Sequence, residues 1–209
     1  MLEFFLKGGP LMWPLLGCSI VAMTVIIERA IFWIKEARSR DTKVMHRVLH
    51  LVEHGLYEEA KTAGEKSQDY LIRIFISSIP HQHLSLEGAL EMSALKEINR
   101  MKQYLPVLDT IITVSPLLGI LGTVAGIFSS FNVLGQSAIL SPDTVARGIA
   151  EAIITTIAGL GIAIPTLIAY NYFCSKVEKA GTQIEAALSN FKIIYQKGKN
   201  RKNEGAAVS

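Results

Sequence analysis

The chain has 209 residues, half of them hydrophobic and 19% charged, with a formal net charge of +3 at pH 7. That balance points to a membrane protein with a substantial aqueous part and away from a wholly soluble domain. The charge gives no sign of nucleic-acid binding. Two cysteines without close cysteine or histidine partners support neither a disulfide framework nor a zinc site.

In chain order, residues 1–10 form a short N-terminal segment that closes on the breaker Gly8-Gly9-Pro10. A first span of residues 11–34 follows, long enough to cross a hydrocarbon core of about 30 Å. It carries Glu28-Arg29 near its end, then an apolar turn, then Lys35, Arg38 and Arg40. Lys7 alone precedes the span and no small-residue cleavage site is obvious, so it reads as a retained signal-anchor. Cys18 falls in the outer half of this span and Cys174 at the inner end of the last, which prevents them from pairing within one chain.

Residues 35–105 read as a cytoplasmic helical domain. Val44, Val48, Leu51 and Val52 share a helix face that stops at Gly55, and a shorter element from Leu56 to Ala63 stops at Gly64. After Pro80, the apolar series Leu90, Ala94, Ile98, Met101, Leu105 and Leu108 predicts a helix running straight into the second span, with Pro106 and Pro116 as kinks. His46, His50 and His54 recur every four residues, but without a further ligand they read as a solvated or contact stripe, not a metal site.

The second span, residues 106–134, lies in an uncharged run from Thr110 to Pro142. Ser115, Gly119, Gly122, Gly126 and Ser129 recur at helical spacing, a seam of small residues that lets another helix approach closely. After a periplasmic loop, residues 135–147, the third span covers residues 148–174. Ser141 as N-cap, Pro142 in the first turn and Asp143 at the positive end of the dipole start its helix. Gly148, Ala152, Thr156, Gly159, Ala163 and Thr166 form a second seam. Two such faces suit either close packing or a lumen with sparse polar sites.

The apolar stripe Val177, Ala180, Ile184, Ala187, Phe191 and Ile194 extends the last helix through residues 175–196, and needs a partner from this chain or a neighbour to stay dry. Residues 197–209 read as a basic, flexible tail, free in solvent or near anionic phospholipid headgroups. Eleven lysines and arginines lie from Lys35 to Lys102 and seven after Cys174, against Arg147 alone between the last two spans. The positive-inside rule then puts the N-terminus in the periplasm and the C-terminus in the cytoplasm.

The stretches Ser115–Phe128 (S-P-L-L-G-I-L-G-T-V-A-G-I-F) and Glu151–Pro165 (E-A-I-I-T-T-I-A-G-L-G-I-A-I-P), with Tyr170-Asn171 and Glu28-Arg29, resemble the MotA/TolQ/ExbB proton-channel family, in particular its three-span ExbB and TolQ branch. The resemblance implies an all-α integral membrane protein in a homopentameric ring of a Gram-negative inner membrane. Spans two and three would line a lumen holding the helices of a single-span ExbD-like or TolR-like partner whose membrane aspartate is protonated and released in turn. The proton motive force would drive motion between ring and partner and energise a TonB-like protein for outer-membrane transport, or a TolA-like protein of the Tol-Pal envelope system.

On that resemblance Thr123 and Thr156 match the family's pore threonines, and a hydroxyl can serve either protonation state of a partner carboxylate because it both donates and accepts. The competing role is a bond to a carbonyl one turn earlier. Glu151 matches an acid at the head of the third span, a proton collector or simply a first-turn acid on the helix dipole, and Thr155 shares its face. Pro116 and Pro165 fit kinks that couple to the cytoplasmic domain, or kinks merely tolerated by packing, while Gly119, Gly122, Gly126 and Gly159 serve helix packing.

No acid lies near the bilayer midplane, since Asp109 falls near the cytoplasmic end of span two and Glu151 near the periplasmic end of span three, so a central proton carrier must come from another polypeptide or from water. No phosphate loop or catalytic grouping stands out, Gly159-Leu160-Gly161 lies inside a membrane run, and no cofactor is implied. The expectation is a non-enzymatic subunit powered by an ion gradient, in which one charge crossing about 150 mV releases roughly 3.5 kcal/mol. A passive scaffold is the bland alternative; a secondary transporter lacks the repeat it would need.

Overall fold

Three helices of the computed structural model, which describes residues 8–136 and 142–207, are long and apolar enough to cross a membrane. They are α1 (Met12–Arg38), α6 (Leu105–Gln136) and α7 (Pro142–Ala207). Between α1 and α6 come α2 (Thr42–Glu53), α3 (Tyr57–Gly64), α4 (Tyr70–Ser78), a 3-10 turn at Ile79–His81 and α5 (Gln82–Lys102). The described residues are all-helical in their regular structure, as the apolar periodicity predicts. The chain divides into two compact units, one of residues 1–29 with 104–173 and one of residues 30–103 with 174–209.

In the membrane unit the two seams meet. α6 and α7 run antiparallel, with Gly119 against Thr155, Thr156 and Gly159, Gly122 against Thr155, and Gly126 against Gly148 and Ala152. A β-carbon added to Gly119 would stand 3.0 Å from Thr156 Cα, and one on Gly126 would stand 3.1 Å from the Gly148 carbonyl oxygen, so backbone rests on backbone. Two positions differ from the predicted seams. Ser130, not Ser129, is buried on α6, and Thr155, not Thr156, is buried on α7. At 100° per residue the members of each pair lie about 50° to either side of the seam, so spacing alone does not choose between them.

α1 also belongs to this packing through its first eighteen residues. Gly8 sits beside Ile154 of α7, while Arg29 lays its guanidinium over the Tyr104 ring, 5.4 Å from the centroid. α1 is therefore parallel to α7 and antiparallel to α6. Arg29 is only 2% exposed and binds the Glu28 carboxylate, with Nη2 donating to Oε1 at 2.6 Å. Both cysteines are free thiols.

The predicted helix from α5 straight into α6 is instead interrupted. Tyr104 adopts φ 64°, a left-handed conformation, between Lys102 and Leu105. Pro106 fits the break, because it supplies no N–H to the Lys102 carbonyl, where a continuous helix would need one, and suits the first turn of a new helix. Pro116 and Pro165, by contrast, lie inside unbroken helices.

The second unit is built around large buried side chains. The carboxylate of Asp41 caps α2 by accepting from the Val44 N–H at 3.1 Å, and that of Asp69 caps α4 by accepting from the Leu71 N–H at 2.9 Å. Gly55, at φ 75°, ends α2 as expected, and the Leu56 N–H donates back to the Leu51 carbonyl. Val48, Val52, Ile72, Phe75, Leu90, Met101, Ile184 and Phe191 are buried together, with Phe75 and Phe191 stacked at 4.2 Å. The partner that the α7 stripe requires is thus supplied by this chain.

α7 also continues to Ala207 where a flexible tail is expected, with Gly198 against the Val52 carbonyl and Lys197 paired to Glu53 at 2.8 Å. Ion pairs join Arg73 to Glu97 at 2.7 Å and to Glu36 at 3.5 Å. Burial raises the Glu36 carboxyl above the ordinary range against the pull of Arg73 and Arg100.

Candidate functional site

The candidate site is built on α6 and α7, whose inward faces are consumed by each other. Thr155 is 1% exposed, and its hydroxyl donates to the Ala152 carbonyl at 2.8 Å and lies 3.3 Å from the Gly119 carbonyl. The half-buried Thr156 donates across the seam to that same Gly119 oxygen at 3.1 Å. Gly119 is what allows this, since a side chain there would separate the two backbones. Ser115 and Ser130 bond their own helix, to the Ile111 carbonyl at 2.6 Å and the Gly126 carbonyl at 2.9 Å.

Thr123 is different. It lies on the flank of α6, about 70° round from the line of Ser115, Gly119, Gly122 and Gly126, half-buried, and donates to the Ile120 carbonyl at 2.5 Å, a turn back on its own helix. Ile120, next to it on that flank, and Val124 and Phe128, on the face opposite the seam, are exposed apolar residues. Thr155 and Thr156 are thus brought together with Gly119, while Thr123 is left facing outward. Glu151 lies on α7 one turn before Thr155, but its side chain falls outside the described residues, as does Ser141.

Sequence reasoning missed the shared acceptor. The Gly119 carbonyl collects two threonine hydroxyls because the seam glycines let α7 approach it closely, and only the antiparallel register puts Thr155 and Thr156 opposite it. Among the described residues no three histidine, cysteine, aspartate or glutamate side chains converge to hold a metal. His50 and His54 stack at 4.3 Å on α2.

Residues 66–186 match the MotA/TolQ/ExbB proton channel family. The chain belongs to that family. The match covers the second and third membrane helices and the seam between them. Over its length the chain resembles the putative biopolymer transport protein ExbB-like 1 of Synechocystis, with 35% identity across 94% of this chain and 79% of that protein. ExbB-like 3 of the same organism is 33% identical across 92% of this chain and 93% of its own length. A Tol-Pal system protein TolQ from Pseudomonas aeruginosa is 42% identical over 90 residues, or 43% of this chain and 39% of that protein. The long matches place the chain with the ExbB-like branch, and the likeness to TolQ is confined to a shorter stretch.

Proposed function

We propose that the chain is the ring subunit of an inner-membrane energy transducer driven by the proton motive force. It works with an ExbD-like single-span partner whose membrane aspartate carries the proton, and the pair energises a TonB-like protein for outer-membrane transport. Five copies enclose the partner helices, the N-terminus is periplasmic and the C-terminus cytoplasmic. The single observation that supports this most is the division of labour on α6. Its small residues are spent on α7 within one chain, which leaves Thr123 on an outward face of the same helix, available to line a shared lumen.

The hydroxyls of Thr123 and the half-buried Thr156 then serve the partner carboxylate in either protonation state, Thr155, buried in the seam, extends the polar path behind them, and Glu151 stands at the periplasmic mouth. Pro116 and Pro165 serve as the kinks through which motion reaches the cytoplasmic helices. The likeness to a TolQ protein favours one second reading, a TolQ-like subunit acting on a TolA-like protein.

Co-purification from membranes with a single-span, aspartate-bearing protein tests the pairing. Thr123→Ala and Thr156→Ala test the hydroxyls: both variants are expected to assemble normally and to lose proton-driven work. Thr123→Ala is the cleaner of the two, since its hydroxyl bonds nothing beyond its own helix. Full coupling in both variants would leave a passive scaffold as the better account.

A further inference from the structure

Asp109 is a charge in the wrong place. It lies near the start of α6, exposed, and its carboxylate has no partner among the described residues. The packing of the membrane unit fixes its level against the other charges. Tyr104 is level with Arg29 of α1, so Asp109, five residues further along α6, is level with about Thr24. Glu28 lies four residues, about 6 Å, nearer the aqueous end of α1, and it is paired. Carrying the Gly119 register along α7 puts Asp109 opposite about Leu167, nine residues and about 13 Å on the membrane side of Lys176.

Every other charge at this end of α1 and α7 is therefore nearer water than Asp109. A charge set further into the span than its neighbours is disfavoured on a lipid-facing surface, which favours an aqueous lumen or another polypeptide on that side. Its direction on the helix narrows the choice. At 100° per residue, Asp109, Thr113, Pro116, Ile120 and Thr123 fall within about 40° of a single line.

Thr113 is exposed on that line, and its hydroxyl donates to the Asp109 carbonyl at 3.2 Å. Pro116, lacking an N–H, leaves the Ile112 carbonyl without its usual helical donor, a further acceptor beside the line. Polar groups thus descend the outward face of α6 from Thr123, through the proline, to Thr113 and end on the one carboxylate.

We infer that Asp109 is the proton acceptor at the inner end of the conduction path along this face, an inference that rests on the proton-driven function proposed above. The carboxylate takes a proton delivered along the hydroxyl line, becomes the neutral acid, and releases the same proton to water at the cytoplasmic side, returning to its starting charge. Thr113 holds the approach without itself ionising.

The test uses the full chain with its single-span partner, reconstituted in liposomes carrying an entrapped pH-sensitive dye and an imposed pH gradient. Asp109→Asn is expected to lower proton flux about a hundredfold, the lower end of what a positioned acid-base group contributes, while Asp109→Glu keeps most of it. Both are expected to assemble with the partner at the wild-type mass. Wild-type flux in Asp109→Asn overturns the role of Asp109 and leaves the proposed function standing. Failure of Asp109→Asn to assemble overturns it in favour of an ion pair between polypeptides. An assembled wild-type complex that conducts no protons overturns the function and this inference with it.

Discussion

The two units of this chain are held together by opposite means. The membrane unit relies on absent side chains: Gly119, Gly122, Gly126 and Gly159 bring backbones into contact, and threonine and serine hydroxyls fill the notches. The second unit relies on large side chains, with Phe75 stacked on Phe191 and the aliphatic residues of six helical segments buried around them. In lipid there is no hydrophobic gain in bringing two apolar helices together, so close approach and dispersion carry the association. In water the burial of apolar area does that work. One helix, α7, serves both regimes along its length, with Gly159 in the first and Phe191 in the second.

The comparison is most severely tested at Gly159. A leucine there would project into the backbone of Ser115 and Gly119, which cannot rotate away as a side chain could. Gly159→Leu is expected to cost more than the roughly 1–3 kcal/mol of ordinary overpacking and to abolish native α6–α7 contact, read as loss of a disulfide cross-link engineered between the two helices in membranes. The second unit should tolerate this change, and its protease resistance is the control.

The reverse experiment is Phe191→Ala. Phe191 is fully buried, so truncation leaves a cavity and is expected to cost about 3–5 kcal/mol. The loss should appear as a lower denaturation midpoint and faster proteolysis of the cytoplasmic helices. The α6–α7 cross-link should form as before. If each substitution disabled both units equally, the two would not be separate in their energetics.

A smaller effect separates the units by pH. Burial and the neighbouring Tyr195 push the Tyr57 phenol up from 10 to about 12. Between these values the folded chain holds a proton that the unfolded chain has released, so the contribution of Tyr57 is complete below pH 10 and is lost as pH rises towards 12. Tyr195 and Tyr70 shift upward through burial and add in the same direction. Alkaline titration followed by tyrosine absorbance and circular dichroism should show late ionisation coupled to loss of cytoplasmic helix, and Tyr57→Phe should weaken that coupling.

Much of the fold is legible in the sequence because strong local patterns coincide with the tertiary environment. Charge-free runs mark the three spans, Gly55 marks the end of α2, and the stripe through Leu90, Ala94 and Met101 is buried as its spacing requires. α4, from Tyr70 to Ser78, gives no such signal. It has only nine residues and most of its surface is buried, so Arg73 and Ser77 alone mark its polar side, too short a pattern to separate a helix from a buried strand. The ordered continuation of α7 past Lys197 escapes for another reason: its support comes from Val52 and Glu53, far away in sequence.

For the candidate site, the sequence by itself determined the chemistry: small residues and hydroxyls at helical spacing, and acids kept away from the midplane. Only the tertiary structure decided which groups are spent and which remain. Thr155 and Thr156 sit one residue apart, on either side of the same seam, and helical periodicity treats them alike. The antiparallel register of α6 and α7 buries one, leaves the other half-buried, and turns Thr123 and Asp109 outward. Spacing fixes an angle around a helix axis, but the side of the seam that a second helix covers depends on contacts between residues some forty positions apart, such as Gly119 with Thr156.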